Sequence, residues 1–390
     1  MNPESEIKLR RRSFLAWCSG VGFGSTLFPN LLWAQSKNGL KSITNEMIDS
    51  AARLAGLSFS QIDREEMVLG INANLASYKA LRKIRIDQNT PPPIYFNPAV
   101  PGQKFSKKRK PFIQSKRMSV SRPSNLEEIA FWPITDLSQL IESRQVSSEE
   151  LTLMYLKRIK QHDSKLNSVI TLTEKLAIKQ ARKMDREIKA GNYRSSLHGI
   201  PWGAKDVIAK SGYRTTWGAK AYRNQVIDYD ATLVSRLEEA GAVLIAKLST
   251  GEIARGDRWF DKQTRNPWKI NEGSGGSSAG PGSATAAGLV GFSIGSDTTG
   301  SILGPSRTCG ISGLRPTFGR ISRHGVMPVC WSLDKVGPMC RSVEDCAIVF
   351  QSIHGPDNQD LSLVDMPFNW NGNKNLKELR IGYIEEAFNE

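Results

Sequence analysis

Three glycine-rich segments constrain this 390-residue chain more than any other feature: Gly-Ile-Pro-Trp-Gly-Ala-Lys-Asp at 199–206, Gly-Ser-Gly-Gly-Ser-Ser-Ala-Gly at 273–280 and Gly-Ser-Asp-Thr-Thr-Gly-Ser at 295–301. Each sets a lysine or serine, namely Lys205, the pair Ser277-Ser278 and Ser301, where the backbone can turn tightly. A serine hydroxyl is a poor nucleophile at neutral pH and must pass its proton to a base as it attacks. A lysine can be that base only when its amine is neutral, and burial away from carboxylates favours the neutral form. The three segments together therefore point to acyl transfer by a Ser-Ser-Lys site, a known variant of the Ser-His-Asp scheme. His162, His198, His324 and His354 are scattered, with no second ligand at metal spacing, so each reads as structural and no metal or cofactor is expected.

Read in order, and followed by Cys-Gly-Ile-Ser-Gly-Leu-Arg-Pro-Thr at 309–317, the segments resemble the amidase signature family over about residues 130–385. The chain is similar there to the A subunit of tRNA-dependent amidotransferases. The resemblance implies Ser301 as nucleophile, Ser277 as a relay serine behind a cis peptide bond, Lys205 as base and Ser278 as support for the relay. The spacing from Ser277 to Ser301 agrees with the family's, which selects Ser277 over Ser278. It also implies an oxyanion hole from the backbone amides of Thr298, Thr299, Gly300 and Ser301, since successive amides in a tight turn converge on one point.

Three positions depart from the family pattern. Leu303 stands where an Arg usually helps hold the signature aspartate, here Asp297, so that carboxylate is expected to lack a partner, at a cost if buried. Pro281 replaces a usual Gly or Ser. Thr299 replaces a usual Gly and is expected to narrow the oxyanion turn.

The first 34 residues read as an export signal. Arg11-Arg12-Ser13-Phe14-Leu15 is a twin-arginine pattern, followed by an apolar stretch to Trp33 and a cleavage point after Ala34. Gly20, Gly22, Gly24 and Pro29 interrupt that stretch, which favours cleavage over a spanning anchor. The expected location is periplasmic or secreted. Residues 35–100 carry apolar side chains at helical spacing over 43–55 and 61–83, closed by Pro91-Pro92-Pro93. With Ala-Arg-Leu-Ala at 52–55 and Tyr-Lys-Ala-Leu at 78–81, this stretch resembles the small C subunit of the same amidotransferases; any helical hairpin would show the same periodicity. Net charge is +15, yet the one dense basic run, Lys107-Lys108-Arg109-Lys110, falls in a loop-like stretch. It reads as part of a solvated basic linker over 101–129, with no nucleic-acid partner expected.

From 130 onward strands and helices alternate. The capping box Ser147-x-x-Glu150 opens a helix to 162, and another covers 174–190. Strands at 199–204, 243–246 and 291–294 are separated by helices at 231–240 and 282–289. The fold class expected is α/β: a mixed central sheet with helices on both faces and an N-terminal helical appendage. Trp202 and Trp217 read as core filling, and Cys309, Cys330, Cys340 and Cys346 as core thiols. Leu-Arg-Ile-Gly-Tyr at 379–383 looks like a strand that the family continues beyond Glu390, so the amidase domain (130–390) is expected to be C-terminally incomplete, with a partner chain supplying the rest.

Three functional readings stay open. The first is an exported amidohydrolase that cleaves a small-molecule carboxamide through an acyl-serine. The second is a binding protein that keeps the scaffold, or half of a split enzyme. The third is one component of a tRNA-dependent amidotransferase, against which the export signal counts because aminoacyl-tRNA is cytoplasmic.

Overall fold

The computed structural model describes residues 42–87, 90 and 102–388, and the chain divides into two units, Met1–Pro91 and Pro92–Glu390. The export signal and the proline run at 91–93 lie outside the described residues. In the first unit, helices α1 (Asn45–Leu54) and α2 (Gln61–Leu81) form a hairpin. Thr44 caps α1, and Ser60 with Asp63 forms a capping box that satisfies the first free amides of α2. Asn72 ties the pair together: its carboxamide accepts from the Ile43 amide at 2.6 Å and donates to the Ile43 carbonyl at 3.0 Å.

The second unit is built on a six-stranded sheet comprising β1 (Val169–Leu172), β2 (Pro201–Lys205), β3 (Val243–Leu248), β4 (Phe292–Asp297), β5 (Ser312–Gly313) and β6 (Lys335–Cys340). Its order is β1-β3-β2-β4-β6-β5. The central pairs β3/β2 and β2/β4 are parallel, and the outer pairs β1/β3, β4/β6 and β6/β5 are antiparallel. The sheet is therefore mixed, as expected. Every residue of β2 and β3 is buried, as required of parallel strands covered on both faces.

The helices that cover it are α3 (Ile134–Glu142), α4 (Ser148–Leu166), α5 (Glu174–Lys189), α6 (Thr232–Glu239), α7 (Ala279–Ala286), α8 (Leu303–Cys309) and α9 (Val343–Ile353). The capping box is present at the start of α4: the Glu150 amide donates to Ser147 Oγ at 3.1 Å and the Ser147 amide to Glu150 Oε2 at 2.9 Å. Left-handed Asn167 ends that helix, four residues later than the sequence suggested. Helix α7 starts earlier than expected, immediately after Ser278. Pro281 falls in its first turn, where a missing amide costs nothing. Trp202 is buried and stacks on Phe292, with ring centroids 6.0 Å apart, as core filling requires.

Two expectations are corrected here. Residues 102–129 are not a free linker. Phe112 and Val120 pack against the core, the Ile113 amide donates to the Trp370 carbonyl at 3.1 Å, and Arg117 pairs with both Glu344 (2.9 Å) and Asp136 (3.1 Å). Most of its partners lie more than 200 residues away and the segment is irregular, so no local periodicity announces them. Of the four cysteines read as core thiols, Cys309, Cys340 and Cys346 are buried, but Cys330 is half-buried in the loop before β6.

Candidate active site

Lys205 ends β2 between the two strands that flank it and is fully buried. Its Nζ lies 2.8 Å from Ser277 Oγ, 2.9 Å from Ser296 Oγ and 3.4 Å from the Ser296 carbonyl oxygen. These neighbours are all uncharged. Burial pushes the lysine pKa down to about 7, against a smaller upward pull from Asp297 and Asp334 at longer range. At neutral pH a substantial share of Lys205 is therefore an uncharged amine, in hydrogen-bond reach of one serine of the expected relay.

The peptide bond Gly276–Ser277 is cis. A side chain at Gly276 would begin 1.9 Å from the Gly256 carbonyl oxygen, so the close approach of that backbone admits only glycine. Ser278 serves a different purpose from its neighbour. Its hydroxyl donates to the Ser296 carbonyl at 3.0 Å and accepts from the Ser296 amide at 3.2 Å, pinning the residue whose own hydroxyl holds Lys205. The Ser278 amide donates to the Ser301 carbonyl at 3.1 Å, which brings the serine-rich turn against the segment after β4. Lys205 and Ser277 are thus in direct contact. Ser301 is adjoined to them through backbone, and its hydroxyl makes no hydrogen bond to either among the described residues.

The turn after β4 corrects one expectation. Buried Asp297 does not lack partners: its carboxylate accepts from the amides of Gly300 and Ile302, each at 2.7 Å, and from Leu303 at 3.4 Å, and Arg315 Nη1 stands 3.4 Å away. Backbone amides and an arginine further along the chain thus contact the carboxylate that Leu303 cannot pair with. The Gly300 amide is committed to Asp297, whereas the amides of Thr298, Thr299 and Ser301 have no acceptor among the described residues. Thr299, expected to narrow this turn, is exposed at its tip. The turn is tied to the loop before β6 by Thr298 Oγ1 donating to Asp334 Oδ1 at 2.6 Å.

Sequence reasoning missed two groups. Ser296 is the first, although its place beside Asp297 on an alternating strand was a usable signal. The second is a buried ion pair one strand away, where Lys247 Nζ meets Asp206 Oδ1 at 2.8 Å with Thr215 Oγ1 at 2.9 Å. Asp206 also accepts from the Thr216 hydroxyl (2.5 Å) and amide (2.8 Å). The carboxylate next to Lys205 in sequence is therefore saturated elsewhere. A cavity of about 530 Å³ opens beside the site, with Ser296 on its wall along with Tyr229, Met327, Trp331, Asp334 and Lys335.

The chain belongs to the amidase family, whose model matches residues 150–390. It is 41% identical over 263 residues to the A subunit of the glutamyl-tRNA(Gln) amidotransferase of Marinomonas sp. (strain MWYL1), covering 66% of this chain and 54% of that protein. The corresponding A subunit of Thermoanaerobacter pseudethanolicus is 39% identical, with the same coverage. Among solved structures, the native peptide amidase from Stenotrophomonas maltophilia aligns with a TM-score of 0.59 at 39% identity, over 62% of this chain and 51% of that one. The glutamyl-tRNA(Gln) amidotransferase chain of the same kind from Thermotoga maritima aligns with a TM-score of 0.55 at 32% identity, over 62% and 51%. The chain spans about half the length of the curated relatives it matches.

Proposed function

We propose that this protein is an amidohydrolase that cleaves a small-molecule carboxamide through an acyl-serine intermediate on Ser301. The observation that carries the reading is a fully buried lysine amine, with a pKa near 7, placed 2.8 Å from the hydroxyl of a glycine-flanked serine. In this reading neutral Lys205 accepts the Ser277 proton while Ser277 Oγ takes the proton of Ser301. The Ser301 oxygen attacks the amide carbon, and the uncommitted amides of Thr298, Thr299 and Ser301 receive the negative charge on the carbonyl oxygen. The relay then returns the proton to the leaving nitrogen as the C–N bond breaks, releasing ammonia or an amine. Water, activated by the same relay in reverse, hydrolyses the ester. The 2.8 Å separation of Lys205 Nζ and Ser277 Oγ lets a proton pass directly between them.

Labelling with a serine-reactive fluorophosphonate tests the reading directly. The intact chain should be labelled and Ser301→Ala should not. Absence of labelling at any pH in folded protein, or undiminished labelling of Ser301→Ala, overturns it. The same proposal places the enzyme outside the cytoplasm, on the strength of Arg11-Arg12 and the interrupted apolar stretch that follows. Cell fractionation with N-terminal sequencing should find a chain beginning near residue 35; recovery as an unprocessed cytoplasmic chain would remove export and favour an amidotransferase role.

A further inference from the structure

The cavity beside the site has an uneven electrostatic lining. Its volume, about 530 Å³, falls within the ~300–1,000 Å³ of small-molecule sites. Four charged side chains line it, and three are already satisfied. Arg323 holds Asp360 through Nε at 2.9 Å and Nη2 at 3.2 Å. Asp334 accepts from Thr298 Oγ1 and from the amides of Val329 (2.6 Å) and Cys330 (2.9 Å). Lys335 is the exception. Its ammonium donates to one uncharged acceptor, the Thr298 carbonyl at 3.0 Å, and has no carboxylate partner among the described residues. Strand pairing fixes where it stands, because Lys335 opens β6 directly opposite Asp297, at the foot of the oxyanion turn. Tyr229 stacked on His324, centroids 5.4 Å apart, lines the same cavity and gives it an apolar wall.

A half-buried ammonium with spare N–H donors has lost part of its hydration without gaining a carboxylate in direct contact. That loss holds its pKa below the ordinary lysine value, despite the upward pull of Asp297 and Asp334. An anionic group entering the cavity would restore the missing partner. We propose that the cavity binds a carboxylate borne by the substrate, with Lys335 as the residue that selects it, so that the preferred substrates are half-amides of dicarboxylic acids. The inference rests on the acyl-transfer reading for its chemistry, but binding can be measured apart from turnover.

Isothermal titration on the Ser301→Ala chain, with succinamate and neutral succinamide as paired probes, separates the two. Succinamate should bind about five- to tenfold more tightly, the size of a partly exposed ion pair, and added salt should erode the difference. Lys335→Gln should abolish the preference, and Lys335→Arg, which keeps the charge, should retain it. Equal affinities, no binding of either probe, or a preference that survives Lys335→Gln in folded protein overturns the inference. Fluorophosphonate labelling of the unmodified chain reports on the acyl-transfer reading independently. Labelling without a carboxylate preference sinks the selectivity alone, and a preference without labelling sinks the hydrolase while leaving the pocket.

Discussion

Two lysines on neighbouring strands, equally buried, occupy opposite electrostatic surroundings. Lys205 ends β2 and Lys247 lies on β3, where Ala204 pairs with Lys247 and Lys205 with Leu248. Both have no accessible surface. Lys247 meets a carboxylate at 2.8 Å and two further oxygens, and so carries a structural ion pair. Lys205 meets two serine hydroxyls and a carbonyl, and burial accordingly drives its pKa down to about 7. Depth alone does not make a lysine a base; what decides is whether the adjacent carboxylate is spent elsewhere. Here Asp206 is spent on Lys247 and Thr216, which leaves Lys205 free of an ion-pair partner.

The largest test of this contrast is on acylation. Lys205→Ala should lower fluorophosphonate labelling by on the order of 10³-fold or more without unfolding the chain, as should Ser277→Ala, and the double variant should lose little beyond either single one. Labelling rates with circular dichroism as the folding control decide it; additive losses would mean that the two side chains act independently.

Lys247→Ala should instead show itself as instability. Removing one partner leaves a buried carboxylate uncompensated, at about 3–5 kcal/mol, so the denaturation midpoint should drop sharply. A midpoint unchanged in urea titration would dissolve the contrast between the two lysines.

The pH profiles should differ as well. Labelling should rise with pH through about 7 as Lys205 loses its proton, falling about tenfold per unit on the acid side, and a flat profile would exclude a titrating amine. Stability follows the same group. Its folded pKa, about 7, lies below the ordinary 10.5, so between those values the unfolded chain binds more protons and stability rises with pH; below about 7 both states are protonated and the contribution is constant. In Lys205→Met that rise should be missing, which urea titrations at pH 7 and 9.5 can read.

The smallest effect is expected at Leu303. Because the Asp297 carboxylate is held by the amides of Gly300 and Ile302 and stands 3.4 Å from Arg315, Leu303→Arg should change labelling by less than about threefold. A large gain would show that Arg315 does not replace the missing cation.

The candidate site was legible where backbone demands are local. Glycine beside Ser277 and the Asp-Thr-Thr-Gly-Ser turn announce themselves in sequence because only certain residues tolerate such conformations. Strand and helix order was legible for the same reason, from the capping box at Ser147 to the largely apolar runs of β2 and β3, with ends misplaced by a few residues where tertiary packing extended them. Illegible were the contacts made across long sequence distances. The Ile113–Trp370 pairing, the grip of Arg315 on Asp297 and the cavity facing Lys335 leave no periodic trace.

By itself the sequence determined the inventory and the turns: two serines and a lysine in glycine-rich segments, and an order of strands and helices that closes into a mixed sheet. Only the tertiary structure decided which groups are free. Lys205 and Lys247 both stand in apolar strands, Asp206 adjoins the first in sequence yet pairs with the second, and Gly300 gives its amide to Asp297. The reason is geometric. Successive side chains on a strand face opposite sides of the sheet, so a neighbour in sequence is directed away and a residue from another strand takes its place.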